Sequence, residues 1–387
     1  HGRKRSMRAT GRLLALFLLT LLATYPARGS EPVLSDAHIA KLLQHGPWPA
    51  KWAPDPSNRV SGKPDAITLG RDLFFTPKLS GNGKMSCATC HHPGRGWTDR
   101  QPQGLGTAKL DRNTQSLFNV RLNRWFGWDG QNDNLWAQSI RPLLDAKEMD
   151  ASTAHVVNVV SDNPELSKAY ETVFGVPPDT RDLELTLVNI GKAMAAFQET
   201  IVSGRTPFDV FRDAVGRGDE TAAMAYPIEA KRGASLFFGR GNCTFCHTGP
   251  NFTNGEFQDA GVPYFLGPGR VDKGRYEGIG KLKASRFTLE GDYTDDPAKT
   301  GSWKVRGVRA LHRNFGEFKV PSLRNLTQTA PYMHNGSLAS IEDVVRHYSE
   351  IDVERLHADG TRVLAPLHLN EREIQDLVAF LESLSVN

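Results

Sequence analysis

Cysteine is scarce in this chain of 387 residues, which contains only four. All four lie in two copies of one pattern, Cys87-Ala88-Thr89-Cys90-His91 and Cys243-Thr244-Phe245-Cys246-His247. A zinc site would place its Cys-x-x-Cys pairs about 15 to 20 residues apart, whereas Cys90 and Cys243 are 153 positions apart. Structural disulfides or thioredoxin-like pairs would not require a histidine after each second cysteine. The composition and the spacing therefore disfavour these three kinds of site.

Long hydrophobic runs are also lacking. The apolar run near the start of the chain, Leu13 to Ala23, has eleven residues, fewer than the roughly 18 to 20 that span a bilayer. Basic residues precede it, and Ala27-Arg28-Gly29 follows it with small residues at the expected cleavage positions. Residues 1–30 are therefore predicted to be a cleavable signal peptide, with Met7 as the expected initiator. We expect export to the periplasm without a permanent membrane anchor.

An excess of positive charge is absent once that segment is removed. The whole chain has 47 Lys and Arg against 43 Asp and Glu. Six of the basic residues and none of the acidic ones lie in residues 1–30, so the rest of the chain has a net charge of −2. A nearly neutral chain gives no support for nucleic-acid binding.

The repeated Cys-x-x-Cys-His pattern is typical of c-type haem attachment, in which both thiols bond to the haem and the histidine binds its iron. A similar segment precedes each copy, and residues 70–75 and 233–238 both fit Gly-x-x-Leu-Phe-Phe. A duplicated helix end before each pattern predicts two related haem lobes. We therefore expect two covalently attached haem c groups, one held by Cys87, Cys90 and His91 and the other by Cys243, Cys246 and His247.

The longer stretches have helical periodicity, and no sustained alternation of apolar and polar residues indicates long strands. One apolar stripe consists of Leu183, Leu187, Ile190, Met194, Phe197 and Ile201. Asn370 followed by Glu373 resembles a capping box that begins a closing helix, and Gly261 to Gly274 is predicted to be a loop. We predict a mostly α fold of two c-type cytochrome-like haem lobes with long loops. The predicted domains are residues 31–205 and 206–387.

Further motifs lie between and after the two haem patterns. They are Trp128-Asp129-Gly130, Gln138, Pro142, Glu148, Val320-Pro321-Ser322-Leu323-Arg324-Asn325 and Ala330-Pro331-Tyr332-Met333-His334-Asn335-Gly336. Together with the paired haem patterns, they resemble the bacterial dihaem cytochrome c peroxidase family over most of the chain after residue 30. The resemblance implies an oxidoreductase with an open, high-spin haem in the N-terminal domain and a low-spin haem in the C-terminal domain.

The resemblance also implies roles for four side chains. The tryptophan of the family's Trp-Asp-Gly step relays electrons between the haems, and Trp128 matches it. The family's distal glutamine, proline and glutamate match Gln138, Pro142 and Glu148. A carboxylate suits peroxide chemistry, because a proton must move from one oxygen to the other while the O–O bond breaks. Without the motif, Glu148 would be interpreted as a solvated surface acid and Trp128 as a core side chain.

The first departure from the family pattern is at position 107. Many members carry a histidine sixteen residues after the first haem histidine, and it binds that iron until reduction releases it. Here that position is Thr107, and no histidine lies between His92 and His155. The first haem is therefore expected to be five-coordinate and open in every oxidation state, without a reductive activation step.

The second departure concerns the other iron. Its sixth ligand in the family is often a methionine past the Pro-Tyr-x-His-x-Gly stretch, and alignment of residues 341–348 places Tyr348 there. A tyrosinate ligand is a property of the MauG subgroup, including its methanobactin-associated relative MbnH, and this chain resembles that subgroup. The alternative is an ordinary core tyrosine, because Tyr348 shares a helix face with Ile341 and Val345. His347 falls on the polar face and is the weaker candidate.

The family also binds a calcium ion between the haem lobes, through one asparagine side chain and two backbone carbonyls. The matching positions are Asn113, fifteen residues before Trp128, and Thr329 and Pro331, nineteen and seventeen residues before Tyr348. Oxygen ligands suit this hard cation. The resemblance therefore implies one calcium ion, although each residue alone would be an ordinary loop residue.

The MauG-like features imply a periplasmic enzyme that uses hydrogen peroxide to form a high-valent haem state and oxidises an aromatic residue, expected to be tryptophan, of a partner protein. The main alternative is removal of hydrogen peroxide with electrons from a small cytochrome. Met333 bears on that alternative, because a Met/His haem has the high potential that suits electron uptake. A non-catalytic dihaem electron carrier is the third hypothesis. MauG has a tryptophan where this chain has Gly241, which predicts a different exit route for electrons.

Overall fold

The computed structural model describes residues 1–2, 33–356, 358–360 and 363–386. The predicted signal peptide, residues 1–30, lies outside the described residues except for its first two positions. Across the described ranges, no helix is long and apolar enough to cross a membrane.

The fold is mostly helical, which confirms that part of the prediction. The α-helices are α1 Asp36–Leu43, α2 Pro64–Phe74, α3 Cys87–Cys90, α4 Leu135–Leu144, α5 Thr153–Asp162, α6 Pro164–Phe174, α7 Leu183–Gln198, α8 Pro207–Arg217, α9 Glu220–Met224, α10 Ile228–Phe238, α11 Arg275–Ala284, α12 Trp303–Gly307, α13 Ile341–Ser349 and α14 Glu371–Glu382. Short 3₁₀ turns cover Pro77–Leu79, Pro93–Arg95, Val120–Leu122, Cys243–Phe245, His312–Asn314, Leu326–Gln328 and Val353–Arg355.

Strands are short. They are β1 Phe257–Gln258, β2 Phe265–Gly267, β3 Arg270–Val271 and β4 Phe318–Lys319, paired antiparallel as β1–β4 and β2–β3. The stretch Gly261 to Gly274, predicted to be a loop, thus contains the β2–β3 hairpin. Gly269 has φ +69°, a conformation that glycine adopts without steric cost and that lets the chain reverse.

The repeated Gly-x-x-Leu-Phe-Phe segments form the same helix crossing twice. A Cβ atom on Gly70 of α2 would clash with the Ala193 carbonyl oxygen of α7, and a Cβ atom on Gly233 of α10 would clash with the Asp376 carbonyl oxygen of α14. Glycine is needed at both positions because the two backbones touch there. Among the described residues, α2–α7 and α10–α14 are the most extensive helix pairs.

The aromatic packing beside each crossing is duplicated as well. Four residues after each glycine, Phe74 packs on Phe197 with ring centroids 5.3 Å apart, and Phe237 packs on Phe380 at 5.0 Å. Phe197 and Phe380 each lie four residues, or about one helical turn, after the carbonyl that the glycine approaches. The internal repeat therefore extends from the sequence pattern to the tertiary packing around it.

Helix α7 is buried on more sides than its sequence predicts. The apolar stripe predicts one buried face, yet every residue of the range 186–198 is buried. The reason is that α2, α4 and α5 all pack against α7. Even Lys192 is 1% exposed, and its ammonium pairs with Asp295 at 2.7 Å. The single stripe is thus an incomplete prediction for this central helix.

Helix α14 begins as predicted. The side chain of Asn370 accepts the Glu373 backbone N–H at 3.0 Å, and the Glu373 carboxylate accepts the Asn370 backbone N–H at 3.0 Å. This reciprocal capping box satisfies two backbone donors that the helix itself leaves unpaired.

Buried side chains form two main hydrophobic clusters. The first lies within residues 69–195, and Cys87 packs against it. The second consists of Leu42 and residues between 208 and 384, and Cys243 packs against it. Each haem pattern thus borders its own cluster, with α1 contributing to the second one. The predicted division into domains at residues 205 and 206 stays a prediction.

Candidate active site

The first Cys-x-x-Cys-His pattern lines a cleft with a volume of about 120 Å³. Its apolar wall includes Phe74, Met85, Leu117, Val120, Phe126, Leu135 and Met149, and its polar lining includes Gln138, Ser139, Glu148, Gln198 and Lys319. Cys87, Cys90 and His91 also line it, and both thiols are free. Two free thiols and a histidine beside a largely apolar cleft are the donors and the surface that a covalently bound haem requires.

Both pattern histidines are oriented by the same kind of contact. The Nδ1–H of His91 donates to the Trp97 carbonyl at 3.1 Å, and the Nδ1–H of His247 donates to the Phe252 carbonyl at 3.0 Å. A carbonyl can only accept, so Nε2 of each ring is left to bind a metal. Burial lowers the pKa of both rings, that of His247 to about 4. Both imidazoles are therefore neutral, the form that binds iron.

Glu148 lies at the edge of the cleft, with 21% of its side chain exposed. Its Oε1 accepts an N–H from Arg141 at 2.6 Å. Burial raises the pKa of Cys87 to about 12, and the charges of Cys90 and Glu148 add to that effect. The carboxylate is thus close enough to influence the first haem pattern, and it is held by a cation that the sequence analysis did not single out.

Gln138 and Pro142 lie on α4 and both line the cleft. The side-chain oxygen of Gln138 accepts an N–H from Asn132 at 2.8 Å, which fixes the amide orientation. Pro142 has no N–H, so the Gln138 carbonyl, four residues earlier, receives no helical hydrogen bond from that position. The structure therefore brings Gln138, Pro142 and Glu148 to one cleft with the first haem pattern.

Position 107 is fixed to the loop that carries Glu148. The Thr107 N–H donates to the Glu148 carbonyl at 2.9 Å, and the Ala108 N–H donates to the Lys147 carbonyl at 3.1 Å. The Thr107 hydroxyl donates to the Ala146 carbonyl at 2.6 Å. At position 107 the family pattern often has an iron-binding histidine. In this protein the side-chain oxygen of Thr107 is instead bound to the backbone.

Trp128 is connected to the loop of residues 330–336 through Asn113. The Trp128 Nε1–H donates to the Asn113 carbonyl at 2.8 Å, and the Asn113 N–H donates to the His334 carbonyl at 2.8 Å. The Trp128 carbonyl in turn accepts the Lys319 backbone N–H at 2.7 Å. The indole is therefore anchored at both its ring and its backbone, between segments from both halves of the chain.

A buried charge network lies beside Trp128. Arg112 donates to both carboxylate oxygens of Asp272 at 2.7 Å and pairs with the fully buried Asp129 at 2.9 Å. Burial works to lower the pKa of Arg112, but Asp129 and Asp272 outweigh it and raise that pKa overall. Asp129 belongs to the Trp-Asp-Gly motif, whereas the other two members of the network, Arg112 and Asp272, lie 17 and 143 residues from it in the sequence, and sequence reasoning missed them.

Lys319 is another residue that sequence reasoning missed. It lines the cleft, it is 7% exposed, and burial lowers its pKa to about 8. Within the described ranges its ammonium group has no hydrogen-bond or ion-pair partner. The only signal in the sequence is its place directly before the Val320-Pro321 motif, and that position does not predict burial.

Tyr348 lies on α13, close to the second haem pattern. Burial raises its pKa, and the neighbouring Cys246 and Cys243 raise it further. His347, the weaker candidate ligand, instead donates its Nε2–H to the Ala260 carbonyl at 2.7 Å. The structure thus brings Tyr348 together with Cys243 and Cys246, while His347 is occupied elsewhere.

The predicted calcium residues occupy neighbouring loops. The Asn113 side-chain NH₂ donates to the Gln101 carbonyl at 2.8 Å, which leaves the side-chain oxygen as a possible ligand. The hydrogen bond from Asn113 to His334 places it against the loop that contains Thr329 and Pro331. The described part of the chain contains no group of three or more His, Cys, Asp or Glu that could hold a metal. The calcium site stays a prediction, because amide and carbonyl ligands form a different kind of group.

Comparison with known proteins identifies the family. A family model described as di-haem cytochrome c peroxidase matches residues 64–217. The methylamine utilization protein MauG of Methylorubrum extorquens is 35% identical over 323 residues, which cover 83% of this chain and 78% of MauG. The chain belongs to the di-haem cytochrome c peroxidase family. Membership confirms the predicted resemblance and makes the protein a di-haem oxidoreductase of the peroxidase and MauG class, with two haem cofactors.

Other relatives and solved structures agree with this family. Cytochrome c551 peroxidase of Nitrosomonas europaea is 30% identical over 325 residues, which cover 83% of this chain and 80% of that protein. A crystal structure of a MauG-like protein associated with microbial copper homeostasis has a TM-score of 0.65 at 25% identity and covers 88% of this chain and 95% of that one. The diheme peroxidase BthA of Burkholderia thailandensis, at 24% identity, has the same fold, with a TM-score of 0.66 and 87% of both chains covered.

Proposed function

We propose that this protein is a periplasmic oxidoreductase of MauG type, which uses hydrogen peroxide to oxidise an aromatic residue, expected to be tryptophan, of a partner protein. The observation that carries the proposal is the burial of Tyr348 on α13, within electrostatic range of Cys243 and Cys246. A phenolate ligand stabilises oxidised iron, whereas a thioether favours reduced iron. The second centre therefore suits storage of an oxidising equivalent better than uptake of electrons from a donor.

The two haem patterns hold the cofactors in this proposal. Cys87 and Cys90 bond to the first haem and His91 binds its iron, while Cys243, Cys246 and His247 hold the second. When bound, the two haems supply the redox chemistry that takes up both oxidising equivalents of peroxide. The carbonyl contacts of His91 and His247 set the ring orientation and the tautomer for this role.

The cleft residues transfer a proton between the two oxygens of peroxide. Glu148 takes the proton from one peroxide oxygen and delivers it to the other, which converts the leaving oxygen into water. Arg141 holds the carboxylate in place at 2.6 Å. Gln138, fixed by Asn132, supports the bound peroxide as a hydrogen-bond donor, and Pro142 shapes the same wall of the cleft. Because Thr107 is bound to the backbone, no ligand from that position needs to be released before peroxide enters.

Trp128 is the proposed relay between the two centres. Its indole donates to the Asn113 carbonyl, and this hydrogen bond stabilises the positive charge that appears on the ring when it gives up an electron. Asn113 also belongs to the proposed calcium site with the carbonyls of Thr329 and Pro331. A calcium ion there would hold the Trp128 contact and the 329–334 loop together.

The alternative function is peroxide removal with electrons from a small cytochrome, which the identity to a cytochrome c551 peroxidase favours. Mixing the fully ferric holoprotein with peroxide separates both enzyme functions from a non-catalytic electron carrier. The MauG-type proposal expects a high-spin component in the ferric absorption spectrum and rapid reaction with peroxide without prior reduction. An entirely low-spin ferric spectrum, or a reaction that requires reduction first, would contradict it. Identification of an exported partner whose tryptophan is modified would then establish the substrate.

A further inference from the structure

Two tryptophans in one short segment, Trp125 and Trp128, have opposite surroundings. The Trp128 Nε1–H has an acceptor, and in the part of the chain that the structure describes no cation stacks on its ring. Trp125 is 6% exposed, and its Nε1–H has no hydrogen-bond partner there. The guanidinium carbon of Arg275 lies 4.3 Å from the centroid of the Trp125 ring, and the Lys304 ammonium lies 5.9 Å from it.

Arg275 is held firmly over Trp125. It is 3% exposed, and its Nη1 donates to the carbonyls of Asp129 and Gly130 at 3.2 and 2.8 Å. Its guanidinium carbon also lies 4.0 Å from the centroid of the Phe257 ring. Burial lowers the pKa of Arg275 to about 10, so the group stays charged at neutral pH. The cation is therefore anchored by the residues that follow Trp128.

Fixed cations of this kind change the ease of oxidation of an indole. Loss of an electron puts a positive charge on the ring, and a cation within about 6 Å that attracts the neutral ring repels the oxidised one. An indole N–H without an acceptor also cannot release its proton to stabilise the oxidised state. Trp125 is therefore much harder to oxidise than Trp128, three residues away.

We propose that Arg275 and Lys304 exclude Trp125 from electron transfer, so that electrons pass through Trp128 alone. The inference rests on the proposed relay role of Trp128. Without the two cations, Trp125 would itself supply the electrons that reduce peroxide. In the absence of a partner, it would lose two electrons and gain one oxygen atom, while hydrogen peroxide becomes one water molecule.

The test measures oxygen incorporation at Trp125 by peptide mass spectrometry after the holoprotein is treated with peroxide without a partner. The variants are Lys304→Met, Arg275→Gln and the double variant, with Lys304→Arg as the charge-retaining control. We expect little oxidation of Trp125 in the wild type and in Lys304→Arg. Oxidation should rise on the order of tenfold or more in Lys304→Met and further in the double variant, because a repelling charge is removed. Cyanide, which blocks the iron, should abolish the increase and so exclude direct attack by peroxide.

Two outcomes would overturn the proposal: Trp125 oxidised as heavily as Trp128 in the wild type, or unchanged oxidation of Trp125 in Lys304→Met with both haems attached. Lys304→Met decides the matter even if the Arg275 variants do not fold, because Lys304 is only partly buried. Failure of the relay itself is seen separately, as unaltered coupling between the haems in Trp128→Phe. If Arg275 and Lys304 do not protect Trp125 from oxidation, the coupling between the haems should still depend on Trp128.

Discussion

Arg141 and Glu148 form an ion pair with a nitrogen–oxygen distance of 2.6 Å, which joins α4 to the loop that follows it. Because the pair engages Oε1, the second carboxylate oxygen is the one available to move a proton. A surface acid without such a partner would not be held in one position in this way.

Glu148→Gln should leave both haems attached but slow peroxide cleavage by roughly 10²-fold or more, the scale of a lost general acid–base group. Stopped-flow absorption after mixing with peroxide measures the rate. Glu373→Gln is a matched control, because Glu373 also pairs with an arginine, Arg240, and has a similar exposure of 27%. If the rate of peroxide cleavage is unchanged in Glu148→Gln, Glu148 is a solvated surface acid without a catalytic role.

Trp128→Phe should keep the fold and peroxide binding but uncouple the two haems. Phenylalanine fills most of the space, yet it is far harder to oxidise than indole and cannot donate to Asn113. Spectra of the second haem after peroxide addition report the coupling. Trp136→Phe is the packing control, because Trp136 is fully buried and donates to Ser57 at 3.1 Å. If peroxide still perturbs the second haem at the original rate, the relay role of Trp128 is wrong.

Tyr348→Met should raise the potential of the second haem, because a thioether replaces an anionic oxygen ligand. Burial raises the pKa of Tyr348, so a phenolate there needs a partner cation, and ferric iron is that cation. Peroxide should still be consumed, but oxidation of the protein partner should be lost. Tyr332→Phe is the control, since Tyr332, like Cys243, packs against the second hydrophobic cluster and donates its hydroxyl to the Leu326 carbonyl. A low-spin spectrum and potential unaltered by Tyr348→Met and Tyr348→Phe would make Tyr348 a packing residue.

The buried carboxyl group of Glu199 should make the stability of the protein depend on pH. It is 4% exposed and accepts from the Ser61 hydroxyl at 2.8 Å, and burial raises its pKa from 4.5 to about 7. The folded state therefore binds the proton more tightly than the unfolded state. This contribution to stability is full below pH 4.5 and is lost as pH rises through 7, by roughly 3 kcal/mol in total.

Glu199→Gln should remove that dependence, because the amide has no proton to lose and can still accept from Ser61. Urea unfolding of the holoprotein at pH 5 and pH 8 measures it. As the pH rises from 5 to 8, the unfolding free energy of the variant should increase relative to that of the wild type. If the variant differs from the wild type in unfolding free energy by the same amount at pH 5 and at pH 8, Glu199 does not cause the pH dependence.

Much of the candidate site could be predicted from local patterns. The Cys-x-x-Cys-His copies carry their chemistry within five residues, so no tertiary information is needed to recognise them. The Gly-x-x-Leu-Phe-Phe repeat likewise predicted two related units, and Gly70 and Gly233 occupy equivalent helix crossings. Residues of α4 such as Gln138 and Pro142 reach one cleft because a helix turn places positions four apart on the same face.

Other features depend on contacts between distant parts of the chain, and the sequence did not predict them. The single apolar stripe of α7 could not show that neighbouring helices cover its other faces. The burial of Lys319 and the position of Arg275 over Trp125 arise where the segment around residue 128 meets residues 256 to 320. Charged residues are usually exposed, so nothing in their local sequence marks them as buried.

The sequence by itself determined the two haem patterns, the mostly helical fold and the family, because covalent attachment and helix formation depend on residues that are close along the chain. The tertiary structure alone decided which side chains share an environment. Arg141 lies beside Glu148, Asn113 accepts from Trp128, and Arg275 covers Trp125. These contacts set charge and hydrogen bonding at each group, and they exist only once the helices and loops have packed, since electrostatic and hydrogen-bond interactions act over a few ångströms in space and not along the sequence.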